Sequence, residues 1–207
     1  MIIELIGPGG VGKTTVEPLL ADRLGIAYYP GKKRHDFEGR PQSTLQLWSN
    51  RVWWVLRNPL LALAAIRAHD GTPKERLRFV FDICRRESAA ARAARLGSGV
   101  VASGPVHALC MMSGGTERDV TRILPHLTPA DVYVRLHADP AEVTRRLAGR
   151  LGQSADEMVH HEIWMRQYEE ASIRISRAMR RPLLDVRADG SPGEVADDIA
   201  GQLNSLG

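Results

Sequence analysis

The chain has 207 residues, 43% of them apolar and 25% charged, the make-up of one globular domain with a sizeable core rather than of a disordered or fibrous protein. Its formal charge is +4, carried by 24 Arg and only 4 Lys; nucleotide ligands gripped bidentately by Arg account for that bias, and so does a plain compositional preference. No long basic tract interleaved with aromatics points to nucleic acid, and the most apolar run, VWWVLRNPLLALAAIRAH (52–69), is too interrupted by Arg57, Asn58 and Pro59 to span a bilayer.

In chain order, β-rich runs stand at 2–6 (IIELI), 26–29 (IAYY), 99–103 (GVVAS), 131–136 (DVYVRL) and 183–187 (LLDVR). Segments of helical period lie between them. STLQ (43–46) and TPKE (72–75) read as capping boxes, the second with Pro73 at the first helical position. A cap followed by proline recurs at Asn58, Asp139 and Ser191, and Gly97 closes a long helix over about 74–96. Five strands alternating with helices predict an α/β fold, a parallel sheet covered on both faces, in one domain over 1–207. A helical insertion at about 43–70 is the main elaboration, placed to shape a substrate site. Cys84 and Cys110 lie in apolar runs without metal-ligand spacing, and the N-terminus lacks a charged leader; both predict a cytoplasmic protein with reduced thiols.

The first run leads directly into Gly7-Pro8-Gly9-Gly10-Val11-Gly12-Lys13-Thr14-Thr15, which matches the pattern G-x-x-x-x-G-K-[ST] in full. Glycines let successive backbone N–H groups turn inward around a phosphate chain, and the helix that follows adds partial positive charge. Lys13 is placed to reach the β- and γ-phosphates and Thr14 to sit on Mg²⁺, with ATP as the expected donor. No N-K-x-D-like guanine reader follows a later strand, and a motor would need more chain. Direct phosphoryl transfer to a small acceptor fits best.

Beyond the loop, the chain resembles the thymidylate kinase-like and deoxynucleoside kinase-like branch of P-loop kinases. YYPGKK (28–33) stands where thymidylate kinases carry R-E-P-G-G. The segment 77–105 is similar to their L-L-F-x-A-x-R helix with G-x-x-V-V-x-D-R-Y, and 131–150 to their fourth strand and following helix. The resemblance implies a P-loop NTPase fold and a lid-like segment at about 145–157. It places Arg146 and Arg150 over the ATP phosphates, one helical turn apart, with Arg145 as the alternate register. It also implies dimerisation through helices flanking the sheet.

The departures lie at the acceptor end. The family's Asp-Arg after the third strand is Ser103-Gly104 here; its helix arginine falls on Ile83, and its acid after the second strand on Tyr29. The expected acceptor is therefore a hydroxyl on a small molecule, nucleoside-like and without a phosphate of its own. The alternatives are a nucleoside monophosphate kinase, a natural-product or antibiotic kinase, and a non-catalytic nucleotide-binding regulator. A hydroxyl must lose a proton, and Asp82, Asp36 and Glu38 are the acids placed to orient it; Asp82 has the plainer alternative of pairing with Arg85 or Arg86. Lys32, Lys33 and Arg34 form a cluster suited to an acceptor phosphate. Ser103 is a second candidate for Mg²⁺, and His107 for lining the same crevice. Trp48 shares a helix face with Arg51 and offers a stacking wall, whereas Trp53 and Trp54 are expected in the core.

Overall fold

The computed structural model describes residues 1–29, 43–111, 117–151 and 155–206. Lys32, Lys33, Arg34, Asp36 and Glu38 lie outside the described residues, as does the side chain of Arg150.

Five strands, β1 (Ile2–Ile6), β2 (Tyr28–Tyr29), β3 (Gly99–Val101), β4 (Val132–His137) and β5 (Leu183–Arg187), form one sheet in the order β2-β3-β1-β4-β5. Every pairing is parallel, with Ile3 of the central strand beside both Val100 and Val132. Parallel strands need crossovers, and helices supply them. They are α1 (Lys13–Leu24), α2 (Thr44–Arg57), α3 (Pro59–Ala68), α4 (Pro73–Leu96), α5 (Pro105–Cys110), α6 (Glu117–Ile123), α7 (Pro140–Leu151), α8 (Ala155–Met179) and α9 (Pro192–Asn204). The expected α/β architecture and five strands are thus present, two of them shorter: Ile26-Ala27 precede β2, and Ala102-Ser103 already turn away from β3.

All five residues of β1 are buried, because the strand is covered on both faces. Its side chains alternate between two cores. Ile2 and Ile6 join Ile83, Cys84, Val106, Leu109 and Tyr168. Ile3 and Leu5 join Val16, Leu20, Val195 and Ile199. By that alternation Glu4 belongs with Ile2 and Ile6, on the α4, α5 and α8 side.

The helix starts are chemical. Ser43 and Gln46, Thr72 and Glu75, and Ser191 and Glu194 each close a reciprocal capping box, and Gly97 ends α4 at φ 83°. Asn58 departs from expectation: its side chain does not cap α3 but donates Nδ2 to the Trp54 carbonyl at 2.9 Å and to Ser88 Oγ at 3.2 Å. The residue therefore ties the α2–α3 corner to α4. Trp53 is a second departure, 45% exposed beneath the Arg57 guanidinium, while Trp54 is buried as expected. On a one-sided helix the two adjacent indoles point about 100° apart, so only one can reach the core.

Candidate active site

The loop 7–12 leaves the sheet at the carboxyl end of the central strand, where the chain order reverses and ligands collect in open α/β sheets. Gly7 passes so close to β4 that a Cβ there would stand 2.5 Å from the Leu136 carbonyl oxygen. Gly12 has φ 100° and no side chain to cap α1, so the first N–H groups of that helix remain for a ligand. Around this turn lies a cavity of about 340 Å³ lined by Gly9, Gly10, Gly12, Lys13, Thr14, Thr15, Ser103, His107, Met111 and Arg146. Residues proposed from sequence for the phosphates, the metal and the crevice wall thus meet in one place.

Lys13 is buried and folded back on its own loop, donating to the carbonyls of Gly7 at 2.5 Å and Pro8 at 2.8 Å. Burial lowers its pKa to about 8, against the attraction of Glu17. Arg146 donates Nε to Glu142 at 2.7 Å and faces the cavity; Arg145 donates to the same carboxylate but is turned to solvent. The register therefore brings Arg146, not Arg145, to the cavity.

Thr14 and Ser103 both line the cavity, and Ser103 holds φ 45°, a strained value for a non-glycine residue. Its N–H donates to Glu17 Oε1 at 3.2 Å. The other oxygen of Glu17 is buried without a hydrogen-bond partner, and burial raises the carboxyl pKa to about 7, with Lys13 opposing. Hard oxygen donors of this kind suit Mg²⁺, and no cluster of three His, Cys, Asp or Glu side chains fit for a metal occurs among the described residues.

Behind the loop runs a buried polar chain that sequence reasoning missed. The Tyr168 hydroxyl on α8 accepts the Gly7 N–H at 3.0 Å and lies 2.5 Å from His107 Nδ1. Glu4 accepts the His107 N–H at 2.8 Å, and burial raises its pKa to about 8. His107 titrates well below its ordinary value, first because it is buried and then because Lys13 and Arg86 face it. Its imidazole is therefore neutral at the cavity wall. Asp82 takes Arg86 Nε at 2.8 Å and Arg85 at 3.3 Å on its own helix. Ile83 is wholly buried core, and so is Tyr29. Trp48, on α2, packs edge-on to Phe81 of α4 at 6.1 Å, with Arg51 5.1 Å over its ring, and does not line this cavity.

No protein-family profile matches the chain, and no curated protein matches it by sequence. Solved structures do. The deoxyadenosine kinase of M. mycoides, solved with dCMP and dCDP, superposes at TM-score 0.60 with 15% identity over 99% of this chain and 100% of that one. The YorR protein of Bacillus subtilis, in complex with phosphorylated GDP, gives 0.54 with 19% identity over 100% and 97%. Shikimate kinase from Aquifex aeolicus gives 0.52 with 17% identity over 100% and 99%. At these identities the likeness is one of fold, and the fold is that of P-loop kinases.

Proposed function

We propose that the protein is an ATP-dependent phosphotransferase that moves the γ-phosphate to a hydroxyl of a small, nucleoside-like acceptor. One observation carries the reading: Lys13, Thr14, Ser103, His107 and Arg146 converge on a single cavity over a complete phosphate loop. The match along its whole length to kinases of a nucleoside and of a small hydroxy acid supports it. In this reading the loop N–H groups and Lys13 hold the β- and γ-phosphates, Lys13 leaving the carbonyls of Gly7 and Pro8 to do so. Thr14 and Ser103 would hold Mg²⁺, which when bound screens the phosphate charge. Arg146, with Arg150 one turn on, closes over the nucleotide and excludes water. Asp82, or Asp36 in the 32–38 segment, orients the acceptor hydroxyl, with Trp48 as a stacking wall and Lys32, Lys33 and Arg34 available to an anionic acceptor.

Two buried free cysteines support a reducing, cytoplasmic setting, and no described helix is long and apolar enough to cross a membrane. Val52, Leu56, Leu60, Leu63 and Ile66 form an exposed apolar stripe along α2 and α3, each at least 44% exposed. A second copy of the chain packing there would bury it.

The test is phosphorus NMR with Mg·ATP and a panel of nucleosides, nucleoside monophosphates and hydroxylated small molecules. A phosphomonoester signal appearing with ADP is the expected result; a new diphosphate instead would favour nucleoside monophosphate kinase activity. Lys13→Ala should abolish transfer, and Arg150→Ala should lower kcat far more than ATP affinity. Wild-type turnover in Lys13→Ala would refute the mechanism, and nucleotide binding with no acceptor changed would favour a nucleotide sensor.

A further inference from the structure

His107 lines the cavity and is fixed from behind at two points. Its backbone N–H is taken by Glu4 at 2.8 Å, which pins the start of α5 against β1. Its Nδ1 lies 2.5 Å from the Tyr168 hydroxyl, whose oxygen also accepts the Gly7 N–H at 3.0 Å. Nε2 makes no hydrogen bond with any described residue. Because Nδ1 is turned to α8, behind the loop, the ring edge left for the cavity is the one that bears Nε2.

The hydrogen on this ring can be placed. Burial keeps the imidazole uncharged, so it carries one hydrogen, and the partner of one nitrogen decides which nitrogen has it. The Gly7 N–H can only donate to the phenol oxygen. Cys110 also meets the Tyr168 hydroxyl, but a thiol sulfur is a weak acceptor beside a bare imidazole nitrogen. The phenol therefore donates to Nδ1, and the hydrogen sits on Nε2. In that tautomer His107 offers the cavity an N–H and no lone pair.

The rest of the wall is rich in donors too: the ammonium of Lys13, the guanidinium of Arg146 and the open N–H groups at the start of α1. Whatever fills such a cavity must be rich in acceptor oxygens, as a phosphate chain is. The loop wraps the inner phosphates, whereas His107 stands on a separate element. It follows β3 and Arg146 follows β4, the strands on the two edges of β1. The two side chains thus approach the outermost phosphoryl group from different directions.

We propose that His107 donates its Nε2–H to an oxygen of the γ-phosphoryl group of bound ATP, and that Tyr168 is the residue that positions it, holding the tautomer and the phosphate loop through one hydroxyl. The proposal rests on the phosphotransferase reading and adds a consequence to it. His107 is not the base of the reaction, and the proton of the acceptor hydroxyl is left to a carboxylate.

The test is the imidazole nitrogen NMR spectrum of the wild-type protein with His107 assigned, taken alone and with Mg²⁺ and either ADP or a non-hydrolysable ATP analogue; it needs no acceptor. The free protein should carry its hydrogen on Nε2, and that N–H should move downfield with the ATP analogue but not with ADP. A hydrogen on Nδ1, or an Nε2–H that responds alike to the two nucleotides, overturns the assignment. His107→Phe, which keeps a ring and loses both nitrogens, should weaken the ATP analogue about tenfold relative to ADP, the order of one hydrogen bond to a charged group; an unchanged ratio in a folded variant also overturns it. In Tyr168→Phe the two tautomers should mix, and a ring that keeps its hydrogen on Nε2 alone removes Tyr168 from the positioning role. Should neither variant fold by thermal melting, the wild-type spectra decide alone. A wild type that binds neither nucleotide sinks the kinase reading and the assignment with it; one that binds both, with Nε2–H unmoved, sinks the assignment alone.

Discussion

Replacing Glu4 with glutamine keeps the shape of the side chain and its Oε1 acceptor for the His107 N–H, and removes only the proton that can be lost. Glu4 is 2% exposed in the middle of the central strand. Burial raises its pKa from 4.5 to about 8, against the His107 hydrogen bond and the field of Arg86. Between those two values the unfolded chain gives up the proton while the folded chain keeps it. Rising pH therefore favours unfolding, by about 1.4 kcal/mol per pH unit for this one group. The contribution of Glu4 is whole below pH 4.5 and gone above 8. From pH 5 to pH 8 wild type should lose about 4 kcal/mol that Glu4→Gln does not lose. Glu17 and Glu87, each raised to about 7 by burial, act alike in both proteins and cancel in the difference. Urea unfolding of the two proteins at four pH values across this range reads the difference directly. Stability curves that stay parallel within about 1 kcal/mol would refute the argument, because Glu4 would then be ionised in the folded state.

Tyr168→Phe strands the Gly7 N–H and the His107 ring in a buried place; at about 1–3 kcal/mol for each unmet group, urea unfolding should show a loss of roughly 2–5 kcal/mol, and a loss under about 1 kcal/mol would contradict the latch. Leu56 and Leu60 are 71% and 64% exposed on the α2–α3 stripe. In sedimentation the wild-type chain should run as a dimer and the Leu56→Glu, Leu60→Glu variant as a monomer with an unchanged melting temperature; a monomeric wild type leaves the stripe without this partner.

The elements legible in the sequence are those whose cause is local. A capping box is closed by residues three apart, and all three are closed in the structure. The phosphate loop sits between strand and helix because its own glycines allow the turn. What was not legible depends on what a distant element offers. Glu4 in IIELI looks like an interruption of an apolar strand until α5 presents the N–H of His107 to it. Glu17 reads as an ordinary helix acid, yet Ser103, from a turn 86 residues away, donates to it. Gly104 stands where the resemblance expects an arginine, and Glu4, from another element, fills the space beside it.

Gly104 and Glu4 are in this sense one device, and their coupling can be measured. Gly104 has φ −66° and ψ −164°, a backbone any residue adopts, so no left-handed geometry demands glycine. Space demands it: a Cβ at 104 would stand 2.6 Å from Glu4 Cδ and 2.7 and 2.9 Å from its oxygens. A carboxylate at the end of a side chain usually swings aside cheaply, but this one is fixed by the N–H groups of His107 and Val106. Gly104→Ala should therefore cost about 1–3 kcal/mol, the range for overpacking a filled site. In a Glu4→Ala background the obstructing atoms are gone, and the same substitution should cost little or nothing. A double-mutant cycle by urea unfolding gives the coupling. Additivity within about 0.5 kcal/mol would mean that Glu4 moves freely and that glycine at 104 has some other cause. Strong coupling would mean that no side chain fits at 104 while β1 keeps its acid in place.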